Sequence, residues 1–240
     1  MRRLISGIDI VTPDSVIEDG SLLLEDGRIA AVCPVAPAFH RELEGGGALC
    51  IPGLIDLHCD ALEKEVEPRP RVAFDHEFAL VNSDRRNLNA GITTVYHAVS
   101  FAGAEWGVRD PQVAAAVVRT VRAFRGLIDH KVHARYEVTD DGSEEPLARL
   151  LDDGSLDLLS FMDHSPGQGQ FAELAAYVAY MTRTYHVSEA DATAIGSGKV
   201  EARRQAPQRM QRLAQRARAH GVALASHDDD TPAKVAEMAA

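Results

Sequence analysis

The chain has 240 residues, 45% of them hydrophobic, and a formal net charge of −11. That is enough apolar material for one domain, or a large and a small one, and the acidic balance argues against nucleic acid and anionic membrane as partners. No apolar run approaches a membrane span, no charged-then-apolar leader opens the chain, and three cysteines without a CxxC pair suit a reducing cytoplasm better than a disulfide framework.

Residues 1–50 read as β-rich. "LISGIDIVTP" is a short apolar run closed by a turn, and "GSLLLEDGRIAAV" is a hairpin about Asp26-Gly27. Gly45-Gly46-Gly47 then breaks the pattern. This stretch is expected to be a small, sandwich-like β-domain, with the main body over 51–240. From residue 51 the pattern becomes strand, loop, helix. "LCIPGLIDLH" reads as a buried first strand, and "NLNAGITTVYHAVSF" as a helix end followed by a second. "DPQVAAAVVRTVRAFR" is a helix with Asp110 as N-cap and Pro111 in its first turn. "KVHARYEVT" and "LDLLSFMDH" are the third and fourth strands, the latter followed by a loop and the helix "QFAELAAYVAYMTRTY". The amphipathic helix "APQRMQRLAQRARAHG" stops at Gly221, and "VALASH" is the fifth strand. Such alternation predicts a parallel sheet or (β/α) barrel.

Strand side chains alternate faces, so His58 and Asp60 point the same way, and His133, Arg135 and Glu137 oppose Val132, Ala134, Tyr136 and Val138. His164 closes the fourth strand, and His227 closes the fifth and opens "HDDD". The strand-to-loop end is where parallel α/β folds build sites. Imidazoles and carboxylates converging there suit one or two divalent metals, zinc first, with manganese or iron as alternatives. Asp60 equally suits a helix cap or an ion pair. Asp228, Asp229 and Asp230 equally suit a solvated loop, with Thr231 capping a helix that begins at Pro232. His40, His76, His130, His186 and His220 read as structural or exposed, and His97 is open.

Together "IPGLIDLHCDALEKEVEPRP", "NAGITTVYHAVSF", "HARYEVT", "FMDHSPGQGQF" and "ASHDDDTPAKV" resemble the phosphonate-pathway branch of the amidohydrolase superfamily. The resemblance implies a TIM-like (β/α) barrel of the metal-dependent hydrolase type with a small N-terminal β-domain. It implies a diphosphatase of the C–P lyase pathway, releasing pyrophosphate from a ribose 1-methylphosphonate 5-triphosphate. His58 and Asp60 would hold one metal, Glu137 would bridge, and His164 and His227 would be later-strand ligands. Glu137 and Asp228 are the candidate catalytic acids. A small phosphorylated sugar needs cations in an acidic protein. Lys64, Arg69, Arg71 and Arg135 are the candidate phosphate contacts, and Gln168 lies in a "SPGQGQ" loop whose backbone N–H groups suit phosphate oxygens. The alternative for the first three is surface pairing with Glu63, Glu65 and Glu67.

The superfamily barrel has eight strands and a catalytic aspartate at the end of the last. Five strands are read here. The expectation is an incomplete barrel lacking its C-terminal part, inactive or nearly so alone, with a possible homo-oligomer through its open edge. The competing readings are an amidohydrolase acting on a C–N bond (a deaminase or cyclic amidase) and a non-catalytic metal-binding remnant.

Overall fold

Alternation decides the first sheet. Strand β1 (Arg2–Val11) buries Leu4, Ser6, Ile8 and Ile10 and leaves the residues between them partly open. It pairs antiparallel with β2 (Val16–Glu25), which turns through Asp26 and Gly27 into β3 (Arg28–Cys33). Both turn residues have positive φ, 50° and 78°, as a two-residue hairpin matched to strand twist requires. Strand β4 (Glu42–Cys50) lies parallel to β1, giving the order β3-β2-β1-β4. The three glycines therefore do not end the strand. They sit inside β4 where its register with β1 shifts, and a Cβ on Gly45 would fall 2.0 Å from Ile8 Cγ2.

The computed structural model describes residues 2–33, 42–69, 72–103, 107–167 and 169–239. Two units result, Met1–Leu54 and Ile55–Ala240. The second is built on β5 (Leu54–Cys59), β6 (Ile92–Phe101), β7 (Asp129–Glu137), β8 (Leu158–Met162) and β9 (Ala223–Ser226), side by side in that order. Strands β6 to β9 pair in parallel. Helices α1 (Ala61–Val66), α2 (His76–Asn89), α3 (Pro111–Ala123) and α4 (Glu144–Asp152) connect the earlier strands. Helices α5 (Leu174–Tyr185), α6 (Glu189–Ala202) and α7 (Ala206–Ala219) lie between β8 and β9, and α8 (Pro232–Ala239) follows. The fold is α/β, a curled parallel sheet of the (β/α) barrel type with a separate small sheet.

One face of that sheet makes the core. Val99, Phe101, Val132, Ala134, Tyr136, Leu159 and Phe161 pack with residues of α3, α4 and α7, among them Val118, Val121, Leu147, Leu150 and Leu213. Each Val, Leu or Phe among them contributes about 1.5–3 kcal/mol by leaving water. The opposite parity, Ala98, Ser100, His133, Arg135, Glu137, Ser160 and Met162, is left for polar groups. Helix boundaries follow local chemistry. Asp110 accepts the N–H groups of Gln112 and Val113 at 2.9 and 3.2 Å to start α3, and Gly221 takes φ 68° just past α7, where the Val222 N–H reaches Ala217 O.

Two expectations change. Strand β5 is an outer strand of the described sheet, and Leu54, Ile55 and Leu57 are exposed rather than buried. An apolar run does not distinguish an edge strand from a central one. Helix α6 is an addition. Its apolar residues have almost no helical periodicity, but Ser188 caps it, its hydroxyl accepting the Asp191 N–H at 3.1 Å. Among the described residues no helix is long and apolar enough to cross a membrane.

Candidate metal centre

The polar parity converges at the ends of β7, β8 and β9. Glu137 is the last residue of β7, His164 follows β8 by two positions, and His227 follows β9 directly. Its N–H still donates to Phe161 O at 3.3 Å, which extends the β8–β9 ladder to the ring. Asp228 then takes φ 63°, a left-handed conformation that aspartate tolerates better than most residues. Its Oδ2 lies 3.0 Å from His164 Nε2 and 3.1 Å from His227 Nδ1. Among the described residues, His164, His227 and Asp228 form the group of donors whose ligating atoms all lie within 4.8 Å of one another. His227 Nε2 is buried with no hydrogen-bond partner among the described residues. Burial, then the Arg135 charge, holds the His227 pKa below its ordinary value, so the ring is a neutral lone-pair donor near pH 7. Burial pushes Asp228 up, but the charge on His227 and the bond from His164 outweigh it and hold the carboxyl below its ordinary range.

Glu137 lies beneath this group, 1% exposed. Its Oε2 is 3.1 Å from His164 Nδ1, Thr139 Oγ1 donates to its Oε1 at 2.7 Å, and Lys199 Nζ stands 3.6 Å away. Burial alone would raise its pKa. Lys199 first, then His164 and Thr139, overturn that and bring it to about 2. Lys199 is a functional neighbour that strand-end reasoning missed. It comes from α6, one turn after Gly196, where a Cβ would meet Leu174 Cδ1 at 2.7 Å, so the glycine lets α6 lie close on α5. The available signal was Ser188-x-x-Asp191, a helix-start pattern. Asp163 organises the same loop, taking Ser165 N and Oγ and the Arg203 Nε.

His58 and Asp60 meet different partners. Asp60 Oδ1 is 3.4 Å from His58 Nε2 and 2.5 Å from Arg135 Nη1. Asp60 precedes α1 without a side-chain capping bond, so of its two simple readings the ion pair is the one observed. Arg135 is buried on β7 and also contacts Met162 Sδ at 3.7 Å. His133 lies beside them, bonded to Leu57 O and to Ser160 Oγ at 3.1 and 2.7 Å. Burial, then the charge of His58, takes its pKa down to about 4. His58 looks toward the first group across a ring-centroid distance of 5.9 Å to His227.

Of the other candidate phosphate contacts, Lys64 and Arg69 are exposed and form no ion pair among the described residues. The acids near them are used elsewhere. Glu63 binds Arg109 and the Ser100 N–H, Glu65 binds Arg86, and Glu67 takes the Val108 N–H. Arg71 and Gln168 lie outside the described residues, as does His40. In the "SPGQGQ" loop the Gly167 N–H donates to Phe171 O and the Gly169 N–H to Asp230, so these two donors already have acceptors in the chain. Thr231 does cap α8, its hydroxyl accepting the Lys234 N–H at 3.2 Å. A cavity of about 420 Å³ opens beside His227, lined by Asp163, Arg203, Asp229 and Lys234 among others.

A second acid–imidazole group sits on the helix-facing side. His97 Nε2 contacts His130 Nδ1 at 2.8 Å, and His130 Nε2 contacts Asp84 at 3.0 Å. Asp84 also accepts the N–H groups of Leu127 and Ile128. His220 is at the surface against Asp152.

No family model matches the chain. The chain is 32% identical over 244 residues to the alpha-D-ribose 1-methylphosphonate 5-triphosphate diphosphatase of Escherichia coli (strain K12). The five motifs pointed to this resemblance. The alignment covers 98% of this chain and 63% of that protein, so the chain spans less than two thirds of the relative's length. Among solved structures, N-acetylglucosamine-6-phosphate deacetylase from Pasteurella multocida superposes with a TM-score of 0.51 at 14% identity, over 76% of this chain and 49% of that one. A D-hydantoinase gives 0.48 at 18% identity, over 94% of this chain and 52% of that one. The likeness to the deacetylase concerns the fold and agrees with the barrel-type sheet.

Proposed function

We propose that this chain carries the metal centre of a hydrolase that releases pyrophosphate from a phosphorylated sugar, a ribose 1-methylphosphonate 5-triphosphate by analogy with its relative. The observation that carries the reading is the convergence of His164, His227 and Asp228, with a buried imidazole nitrogen that has no partner among the described residues. Two imidazoles and a carboxylate are a donor set for zinc, manganese or iron, so the residues fit such an ion. When bound, a divalent ion supplies Lewis acidity toward a phosphoryl oxygen.

The chain's own residues prepare that position. Glu137 accepts the His164 Nδ1–H, which leaves Nε2 as the donor atom, an outer-shell arrangement common for ligating histidines. Lys199 keeps Glu137 ionised inside the protein. Asp228 is the acid we assign to proton transfer, because it is the ionised, half-exposed carboxylate at the centre. Lys64 and Arg69 have no acidic partner among the described residues, so they are offered to a polyphosphate at the rim, with Arg71 in the same segment. Arg135 is committed to Asp60 and serves the site from below.

The test is phosphate chemistry with the metal controlled. The chain, supplied with zinc or manganese, is incubated with a ribose 5-triphosphate, and pyrophosphate is measured with and without chelator. Metal-dependent release, slow in this chain alone and lost in Asp228→Asn, is the expected result. Ring opening of a cyclic amide or ammonia from a purine, with no pyrophosphate, would move the chain to C–N bond chemistry. Metal bound without any turnover would leave a binding remnant.

A further inference from the structure

The carboxylates at this end of the sheet are not equivalent in charge. Asp60 faces Arg135 at 2.5 Å, Glu137 faces Lys199 at 3.6 Å, Asp163 faces Arg203 at 3.0 Å and Asp229 faces Lys234 at 3.8 Å. Asp230 accepts the Gly169 N–H. Asp228 is the one that faces two imidazoles and no fixed cation among the described residues. Arg135 and Lys199 are also the most enclosed of these cations, 7% and 5% exposed. Arg135 is held on a strand paired on both sides, and Lys199 on a helix seated by Gly196. Neither can swing into water to make room. A doubly charged ion brought against Glu137 would meet Lys199 where screening is weak, and one brought against the exposed Asp60 would compete with the buried Arg135.

We propose that the centre holds one divalent ion per chain, on His164, His227 and Asp228, and that Arg135 and Lys199 are fixed cations standing where a second ion would otherwise be needed. Asp60 is then an ion-pair partner that positions Arg135, not a ligand. Glu137 orients His164 and does not bridge. The inference rests on the metal-dependent reading above and narrows it from one or two ions to one.

The experiment uses zinc alone and the whole chain, with metal per chain counted by elemental analysis after loading and desalting. One equivalent is expected. Asp60→Asn, at an exposed residue, should keep that equivalent. Asp228→Asn should weaken zinc binding at least tenfold, and asparagine tolerates the left-handed backbone there, so the fold is retained. Arg135→Gln should admit a second equivalent, and Arg135→Lys should return the count to one. Two equivalents in the unaltered chain, one of them lost in Asp60→Asn, would overturn the inference and leave the metal-dependent reading standing. No zinc in the unaltered chain would overturn both. A count that stays at one in folded Arg135→Gln would overturn the role given to Arg135.

Discussion

Asp84, His130 and His97 form one acid–imidazole–imidazole group, and Asp228, His164 and His227 form another. Residue types and contact distances are nearly the same. What differs is parity and exposure. His97 and His130 share the strand faces that bear Val99 and Val132, so their rings lie within the helix-side core. Asp84, 4% exposed, spends its oxygens on His130 and two backbone N–H groups, and the loop before β7 is tied to α2 by them. In the other group the carboxylate is partly open, and His227 presents a nitrogen without a partner among the described residues. His97 Nδ1 also lacks a partner among the described residues, but it is sealed in the core, so the first group is structure. The open carboxylate and the nitrogen beside a cavity make the second a place for a ligand.

The comparison breaks most visibly at the two acids. Asp84→Ala leaves two backbone N–H groups and a buried imidazole without an acceptor. Removing one member of a buried charged network typically costs about 3–5 kcal/mol, a large share of a native stability of about 5–15 kcal/mol. Urea denaturation should show that loss while zinc content, measured on the folded fraction, stays unchanged. Asp228→Asn should do the reverse, moving stability by less than about 1 kcal/mol, since its partners are neutral-capable imidazoles near the surface. Equal destabilisation by the two substitutions would erase the distinction between them.

A second way to sharpen it is acid. His97 is held at about 3, by burial first and then by the charge of His130, against about 6.5 for a free imidazole. If His130 Nε2–H points to Asp84 and His97 Nε2–H to His130, then His97 Nδ1 keeps a buried lone pair without a partner. The folded pKa lies below the unfolded one, so between pH 6.5 and about 3 the unfolded chain binds the extra proton. This residue costs nothing above about pH 7 and lowers stability as pH falls, with a limiting slope of ~1.4 kcal/mol per pH unit. Denaturation midpoints of the unaltered chain should fall below pH 6.5, and His97→Gln should flatten that first part of the fall. An unchanged slope in the variant would place the titration elsewhere.

How much of this was legible follows from the range of each signal. The Asp26-Gly27 hairpin and the Asp110-Pro111 helix start depend on neighbours, and the sequence carries them openly. Parity within β7 also reads directly: His133, Arg135 and Glu137 against Val132, Ala134 and Tyr136. The same parity puts His130 on the apolar side, which is why it belongs to the core. The pairings were not legible. Arg135 meets Asp60 across 75 residues and Lys199 meets Glu137 across 62, and no local pattern encodes such a contact. Helix α6 hid Lys199 because its glycines and small residues serve close packing rather than an apolar stripe. Strand β5 read as buried because its apolar run carries no mark of lying outermost.

The smallest effect is expected where the chain is least committed. Lys64 and Arg69 are exposed and without ion pairs among the described residues, so replacing both with alanine breaks no ion pair there. Stability should move by no more than about 0.5 kcal/mol and zinc content not at all. The net charge goes from −11 to −13, two positive charges fewer. Any effect should therefore appear only toward a polyphosphate. A charge-assisted hydrogen bond is worth about 1.5–3 kcal/mol when sheltered, but at an open rim water and salt reduce it, so a severalfold rise in KM for a ribose 5-triphosphate is the reasonable size. It should shrink as ionic strength rises, because screening shortens from about 10 Å at 0.1 M to about 3 Å at 1 M. Arg135 offers the contrast, since its ion pair with Asp60 is built into the strand and its loss should register in metal content. A double variant with unaltered KM at low salt would return Lys64 and Arg69 to the solvated surface and send the search for the phosphate contacts to Arg71.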